Sequence, residues 1–449
     1  MSNRFCSRIL WPTLLTFGIL PFAKAQTIHP MTAPEAIDMA KKYNIQVKAS
    51  VANLELQEQT NKEITALALP KITGTGAATE YFNIPVTLVP GDFFPGGVPG
   101  SFKGVQFQQK FITSGGINLT QTVFDGSVFV GLKARTAALD YYRKAIDLSV
   151  ENLSVQVYKT YYQLLVSRTQ MELQDSNVRR AEKLLHDTRV LNENGFAEKL
   201  DVDKAAVQLT NLVTAKQNTE TNIINGFTFL KFLVGVPAQD SIILTTDFSE
   251  ATLLGGVPID TGYSYQNRND FQSLQIQKQL NDFDIQRYQS AYYPTLNLNA
   301  AYQKNAAGNT YDLFTSAGTW FTSSYIGLSL NVPIFEGFAK NARLKKARIT
   351  AALTNEQVEN LKLSIGQEVA QARNTFLNAI RTMTSQKSNM QTADLVYSQT
   401  KKKFESGLST NTDLSNAQQD LITAQYNYVN ALYTAVIAKI DFLKAIGKI

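Results

Sequence analysis

One feature limits this chain more than any other: Gly126–Asn194 is almost free of proline and glycine, and it repeats an apolar residue every seven positions. Val150, Val157, Leu164, Met171, Val178 and Leu185 mark one row, with Leu153 and Ala181 on the companion row. A second stretch carries Val358, Leu361, Ile365, Ala372 and Ala379. A third runs Leu414, Ala417, Leu421, Ala424, Tyr428, Ala431, Ala435, Ala438 and Phe442 in unbroken steps of three and four. That period is the signature of helices wound left-handedly around each other. At ~1.5 Å per residue the first stretch predicts a helix of about 100 Å, far longer than the usual globular helix of about 11–12 residues. The many alanines allow close approach. The opposite faces are Gln, Asn, Thr, Lys and Glu, so these helices meet water.

The long helices end on a motif written twice. Asn192–Val202 reads NENGFAEKLDV and Phe404–Leu414 reads FESGLSTNTDL. Each sets an apolar residue after the Gly and an Asp six positions on, and the glycines lie 407 − 195 = 212 residues apart. Phe124-Asp125-Gly126 likewise matches Phe335-Glu336-Gly337, and Asp201, Ala205, Leu209 and Gly235 match Asp413, Ala417, Leu421 and Gly447. The Pro70 region corresponds to Pro294. Such spacing along the whole chain is an internal duplication. Each motif is then the tip of a helical hairpin. Gly195 and Gly407 supply left-handed caps, and Asp201 and Asp413 fall in the first turn of the next helix, where negative charge is favoured.

Four segments alternate like strands. They are expected near 71–82, 113–124, 294–304 and 324–335, with Ile117 and Leu119, Leu296 and Leu298, and Ile326, Leu328, Leu330, Val332 and Ile334 on one face. Their length suits either tilted membrane strands or an ordinary half-buried sheet. The loops at 83–111 and 304–323 have a length suited to the outer rim of a barrel. Four strands do not close a barrel, because membrane barrels begin at about eight, and an open edge inside a bilayer is forbidden. Membrane strands would therefore demand an oligomer: eight strands from two copies, twelve from three, and only the larger leaves an appreciable lumen.

The N-terminus reads as a secretory signal over residues 1–25. Arg4 and Arg8 precede an apolar run, and Ala23-Lys24-Ala25 is a small-x-small cleavage site before Gln26. The competing reading, a membrane anchor, is weakened by Pro12, Gly18 and Pro21. Cleavage removes Cys6, the only cysteine, and with it any thiol chemistry. It also removes Arg4, Arg8 and Lys24, so the net charge of +6 falls to 6 − 3, about +3. His29 and His186 stand alone, without the spacing of a metal site. Lys345-Lys346 and Lys401-Lys402-Lys403 read as solvated or interface charge rather than a nucleic-acid patch. Gly74-Thr-Gly76 lacks the third glycine of a nucleotide loop. No cofactor, metal, nucleic acid or catalytic constellation is expected. The acid pairs Asp201/Asp203 and Asp282/Asp284 point to different helix faces.

Signal, paired helical hairpins, four strands and the Gly…Asp tips, in this order, resemble the TolC family of outer-membrane efflux proteins over about residues 27–448. The resemblance implies a mainly α fold with a membrane β part. In it, duplicated long antiparallel hairpins form an α-barrel, and four strands per chain join a shared trimeric twelve-stranded β-barrel. The first repeat would span 26–235, an equatorial segment 236–268 and the second repeat 269–449. The resemblance further implies a homotrimer in the outer-membrane lipid of a Gram-negative bacterium. Its large periplasmic part would meet a periplasmic adaptor protein and an inner-membrane pump of the RND or ABC type. It also implies that the second tip constricts the duct. The aspartate ring would fall at Asp413, and the next ring position is Asn416, which is neutral. The family's gate lock pairs a tyrosine and an arginine with the first tip. Those positions hold Phe404 and Ser409 here, so Phe404 has no hydroxyl for Asp201 and Ser409 no charge. Asp201 and Asp413 can equally be simple helix N-terminal charges. Gly195, Phe196, Gly407 and Leu408 are the expected adaptor contacts. The function implied is a passive exit duct for efflux or type I secretion, not an enzyme. The rival is an exported structural or adhesive coiled-coil protein without a pore.

Overall fold

The structure is a computed structural model that describes residues 27–246, 255, 262–310 and 320–449. The signal segment lies outside the described residues. Strand β1 (Ile28–Met31) leads into helices α1 (Ala33–Tyr43) and α2 (Ile45–Ala66), then strands β2 (Lys71–Glu80), β3 (Thr87–Pro90), β4 (Phe102–Val105) and β5 (Phe111–Phe124). Helices α3 (Gly126–Glu193) and α4 (Lys199–Val234) make the first hairpin, and β6 (Ser241–Leu244) follows. The second half is α5 (Asn269–Ser290), β7 (Thr295–Gly308), β8 (Trp320–Asn331) and the hairpin α6 (Ala339–Glu405) and α7 (Asn411–Ala445).

The seven-residue rows become helix seams. On α7, Leu414, Ala417, Leu421, Ala424, Ala431, Ala435, Ala438 and Phe442 are all buried, and Tyr428 is half-buried. α3 has 68 residues and α6 has 67. Their apolar contacts concentrate in two clusters at one end of the hairpins. One joins Ile365, Val369, Phe376 and Met383 of α6 to Leu432, Val436 and Phe442 of α7, with Val155 of α3 and Phe271 of α5. Phe376 and Phe442 stack at 5.9 Å. The other packs α1 and β1 on Leu153, Val157, Tyr161, Leu164 and Leu165 of α3 and Leu230 and Val234 of α4. Tyr161 is fully buried, and its hydroxyl donates to the Met31 carbonyl at 2.9 Å.

The same level carries the start of the described chain and the junction between halves. β1 pairs in parallel with β6, and His29 Nε2 sits 3.1 Å from Asp240 Oδ2 beside that pairing. The buried Arg268 ion-pairs with Asp270 and Glu368, each at 2.7 Å, and donates to the Ala445 carbonyl. Of the segment 236–268, residues 247–254 and 256–261 lie outside the described residues. Lys439 Nζ, on α7, donates to the Gly255 carbonyl at 2.9 Å.

The four long strands form one antiparallel sheet in the order β2-β5-β7-β8. Ile72, Leu119, Ala300 and Ile326 lie across one row, and Leu298 faces Leu328 and Leu296 faces Leu330 on the same side. The other side presents Thr73, Asn118 and Ala301, then Asn299 with Gly327 and Asn297 with Ser329. Asn299 Nδ2 donates to Ser329 Oγ at 3.0 Å there. One face is thus apolar and the other polar, the pattern of a wall between lipid and water.

The strands differ from the alternation pattern in four places. β8 ends at Asn331, so Val332 and Ile334 lie beyond it. Pro333 has no N–H to continue the ladder. β7 runs on to Gly308 and β8 starts at Trp320, which leaves a shorter connection than 304–323, and residues 311–319 lie outside the described residues. The connection 83–111 is not plain loop: β3 and β4 pair within it as a small hairpin. A bulge between Thr122 and Phe124 makes Phe124, not Val123, the partner of Leu296.

Candidate functional site

The two tips share a backbone. Gly195 and Gly407 take left-handed φ values of +83° and +73°, where glycine carries no Cβ penalty. Gly235 and Gly447, the matched helix ends, do the same at +76° and +70°. The third matched pair diverges. Asp125 caps α3 through Ser127 N–H at 2.8 Å, whereas Gly337 and Phe338 are both left-handed and α6 begins without a side-chain cap. Glu336 instead pairs with Lys340 at 3.0 Å.

The second tip is built around Asp413. Its Oδ2 accepts from Thr410 Oγ1 at 2.7 Å, from Thr410 N–H at 3.0 Å and from Ser409 Oγ at 3.1 Å. The Asp413 N–H donates back to Thr410 Oγ1 at 3.1 Å. This is a reciprocal capping box. The Thr410 hydroxyl and backbone bonds, with Ser409, hold the Asp413 carboxyl below its ordinary range. Ser409, uncharged as expected, therefore spends its hydroxyl on Asp413. Phe404 is half-buried, and Asn416 lies exposed one turn beyond Asp413.

The first tip is chemically different. α4 begins at Lys199 with no side-chain cap bond from its N-cap Glu198, and Asp201 Oδ1 lies 4.0 Å from Lys204 Nζ. Bonds between the tips are few: Thr188 Oγ1 lies 3.4 Å from Asn411 Oδ1, and Ser415 Oγ donates to Gln208 Oε1 at 3.2 Å. Phe196 and Leu408 are 82% and 79% exposed, so each turn end presents an apolar side chain to solvent.

Helix phase adds a residue that the motif comparison passes over. Asp413, Asn416, Asp420, Thr423, Asn427, Asn430 and Thr434 form one exposed polar stripe along α7. Asp420 stands seven residues from Asp413, two turns on the same face, about 10 Å away. The heptad itself held that signal. Among the described residues, no group of His, Cys, Asp or Glu could hold a metal ion. No helix among them is long and apolar enough to cross a membrane.

Long paired hairpins joined end-on to a two-faced sheet with free edges define the class of outer-membrane channel proteins. A protein-family model described as "Outer membrane efflux protein" matches residues 264–448. The outer membrane protein TolC of Escherichia coli (strain K12) is 21% identical over 440 residues, covering 94% of this chain and 84% of that one. The probable efflux pump outer membrane protein TtgC of Pseudomonas putida is 25% identical over 306 residues, 66% of this chain and 60% of that one. The fold matches the crystal structure of the outer membrane protein VceC from Vibrio cholerae with a TM-score of 0.72 at 17% identity, covering 92% of this chain and 96% of that one. Residues 264–448 thus match the outer membrane efflux protein family, and over most of its length the chain is similar to TolC.

Proposed function

We propose that this protein is the outer-membrane exit duct of a tripartite efflux or type I secretion system. It conducts substrates passively from an inner-membrane pump, of RND or ABC type, through a periplasmic adaptor and across the outer membrane. The observation that carries the reading is the sheet. β8 is exposed along its whole length, β2 along nearly all of it, and both are unpaired edges among the described residues. They run in opposite senses, so β8 of one copy can pair with β2 of the next. Three copies give twelve strands with the apolar face to lipid and the polar face inward. A coiled-coil fibre gives no reason for such a sheet. Family relatives are channel proteins, and the reading gives this chain no chemistry of its own.

At the far end, three copies of α7 would bring the stripe of Asp413, Asn416 and Asp420 around one axis. Rings of carboxylate favour cations. Phe404, Ser409 and Asp201 border this constriction, while Gly195, Phe196, Gly407 and Leu408 form the surface offered to the adaptor. Planar-bilayer recording of the detergent-extracted mature protein tests the reading. Wild type should give discrete cation-preferring steps. Asp413→Asn keeps an acceptor oxygen for Thr410 but drops the charge, so it should lower cation preference. Asp413→Ala also loses the cap and should enlarge the steps. Folded oligomer without conductance would bring the fibre reading forward. Mutating Phe196 and Leu408 together should weaken adaptor crosslinking, and unchanged crosslinking would remove these tips from the contact surface.

A further inference from the structure

The pair Lys345-Lys346 belongs to a larger group. Residues 339–349, at the start of α6, hold five cations, Lys340, Arg343, Lys345, Lys346 and Arg348, and no acid. Lys340 is neutralised by Glu336 at 3.0 Å. The other four are exposed and make no ion pair among the described residues. Like charges three residues apart, as in Arg343 with Lys346 and Lys345 with Arg348, weaken a helix, so α6 gains nothing from them by itself. The duplication supplies a comparison. Offset by 211, the same place in the first repeat is 128–138, with Lys133 and Arg135 as its only cations. Arg135 is half-buried and donates to Thr65 Oγ1 and to the Leu132 carbonyl. The first repeat keeps its arginine inside the fold, and the second displays four cations.

Their place in the fold is the margin of the sheet. β8 ends at Asn331 and α6 begins at Ala339. Between them the chain bares Ile334, Phe335 and Phe338 at 95%, 72% and 74% exposure. The Phe335 and Phe338 rings meet edge-on at 5.4 Å. Aromatic rings beside an apolar band mark where a membrane barrel reaches the headgroups. That headgroup layer is about 5–8 Å thick. Arg343 stands ~6 Å and Arg348 ~14 Å along α6 from Ala339. Long basic side chains lean toward the headgroups, and their charge acts over about 8 Å at physiological salt. The group therefore lies within reach of lipid charge.

We infer that Arg343, Lys345, Lys346 and Arg348 form a docking surface for anionic phospholipid headgroups on the periplasmic leaflet of the outer membrane. The inference rests on the exit-duct reading, which puts the sheet in that membrane. Charge complementarity selects the occupant: four unpaired cations stand beside an exposed apolar margin, and an anionic phospholipid carries a phosphate next to acyl chains. Helix phase separates this surface from a contact between copies. Arg343 and Lys346 lie on one flank of the exposed Ile349, and Lys345 and Arg348 lie on the other. A neighbouring helix that covers Ile349 covers one stripe and leaves a flank uncovered. In a tube wall one flank faces outward, so each copy offers two cations to the leaflet.

Native mass spectrometry of the full-length oligomer, extracted from membranes in detergent, tests this. Phosphatidylglycerol and phosphatidylethanolamine with the same acyl chains are added in equal amounts. Wild type should retain phosphatidylglycerol in preference, and added salt should erode that preference. A basic side chain near an anionic lipid is worth about fivefold in binding. Replacing all four residues by Gln should therefore lower the preference at least about that much. Arg343→Lys with Arg348→Lys keeps the charge and should keep the preference. Replacing Lys401, Lys402 and Lys403 by Gln removes charge at the tip end of α6 and should change nothing. Equal retention of the two lipids by wild type, or an undiminished preference in the fourfold variant, would overturn the lipid surface and leave the duct intact. Loss of the oligomer in the fourfold variant would assign these cations to the contact between copies and overturn it as well. A wild type absent from the outer-membrane fraction would overturn the duct reading itself.

Discussion

Asp413 shows how one carboxylate serves both its own helix and the exposed stripe of α7. Three donors converge on a single oxygen, and they hold the ionised form. Its folded value lies below the ordinary one, so its contribution is present above the ordinary carboxylate range and is lost as pH falls through the lowered value. The protection factor of the Asp413 amide, taken against the intrinsic exchange rate at each pH, should be high at neutral pH and fall in that acidic window, and Thr410→Ala should lower it throughout. The glycines give a second, graded outcome. A Cβ at Gly407 would meet open space, so Gly407→Ala should cost only the left-handed backbone penalty, about 1–2 kcal/mol. A Cβ at Gly235 would lie 2.8 Å from the Tyr43 Cβ. Gly235→Ala should therefore lower the melting temperature of the detergent-solubilised protein further than Gly407→Ala does. The left-handed glycines were legible in the sequence, because only a repeated turn explains their spacing. The two bonds from Thr410 to Asp413 were not, since a Thr-x-x-Asp box is one of several ways to begin a helix.

Among elements, the helices divide their stability unequally. Phe376 sits at 1% exposure, stacked on Phe442, inside the cluster that joins α6 to α7. Phe376→Ala should cost about 3–5 kcal/mol and appear as a lower unfolding midpoint. Thr423→Ala, on the exposed stripe, should be nearly silent in the same assay. The seven-residue period made the buried rows readable because every helix neighbour needs the same face. It did not reveal where buried polar groups interrupt the apolar seam. Gln418 and Gln425 occupy buried positions within that periodic run, and a polar residue at such a position looks like noise until the partner helix is in place. Strand limits failed for a related reason. Alternation continued through Val332 and Ile334, but Pro333 ended the ladder, and the bulge before Phe124 set Phe124, not Val123, opposite Leu296.

On the scale of the whole molecule, the single chain is incomplete on its own terms. Among the described residues its sheet has two open edges, and its apolar face is exposed at Ile72, Ile117, Ile326, Leu328 and Leu330. Leu328→Lys on that face should cost about 2–4 kcal/mol near the bilayer midplane and reduce the heat-stable, membrane-inserted oligomer seen by gel mobility. Ser329→Lys, one residue along on the polar face, should leave insertion intact and alter conductance instead. The sequence by itself determined the doubled plan, the long helices, the two tips and the two-faced strands, because each follows from a periodicity that local backbone geometry imposes. Tertiary structure alone decided which strand lies beside which, that Arg268 joins α5, α6 and the end of α7, and that Asn177 meets Gln425 across 248 residues of chain. Those contacts depend on how separate elements are placed in space, and no repeat or period along one segment records where its partner will come to rest.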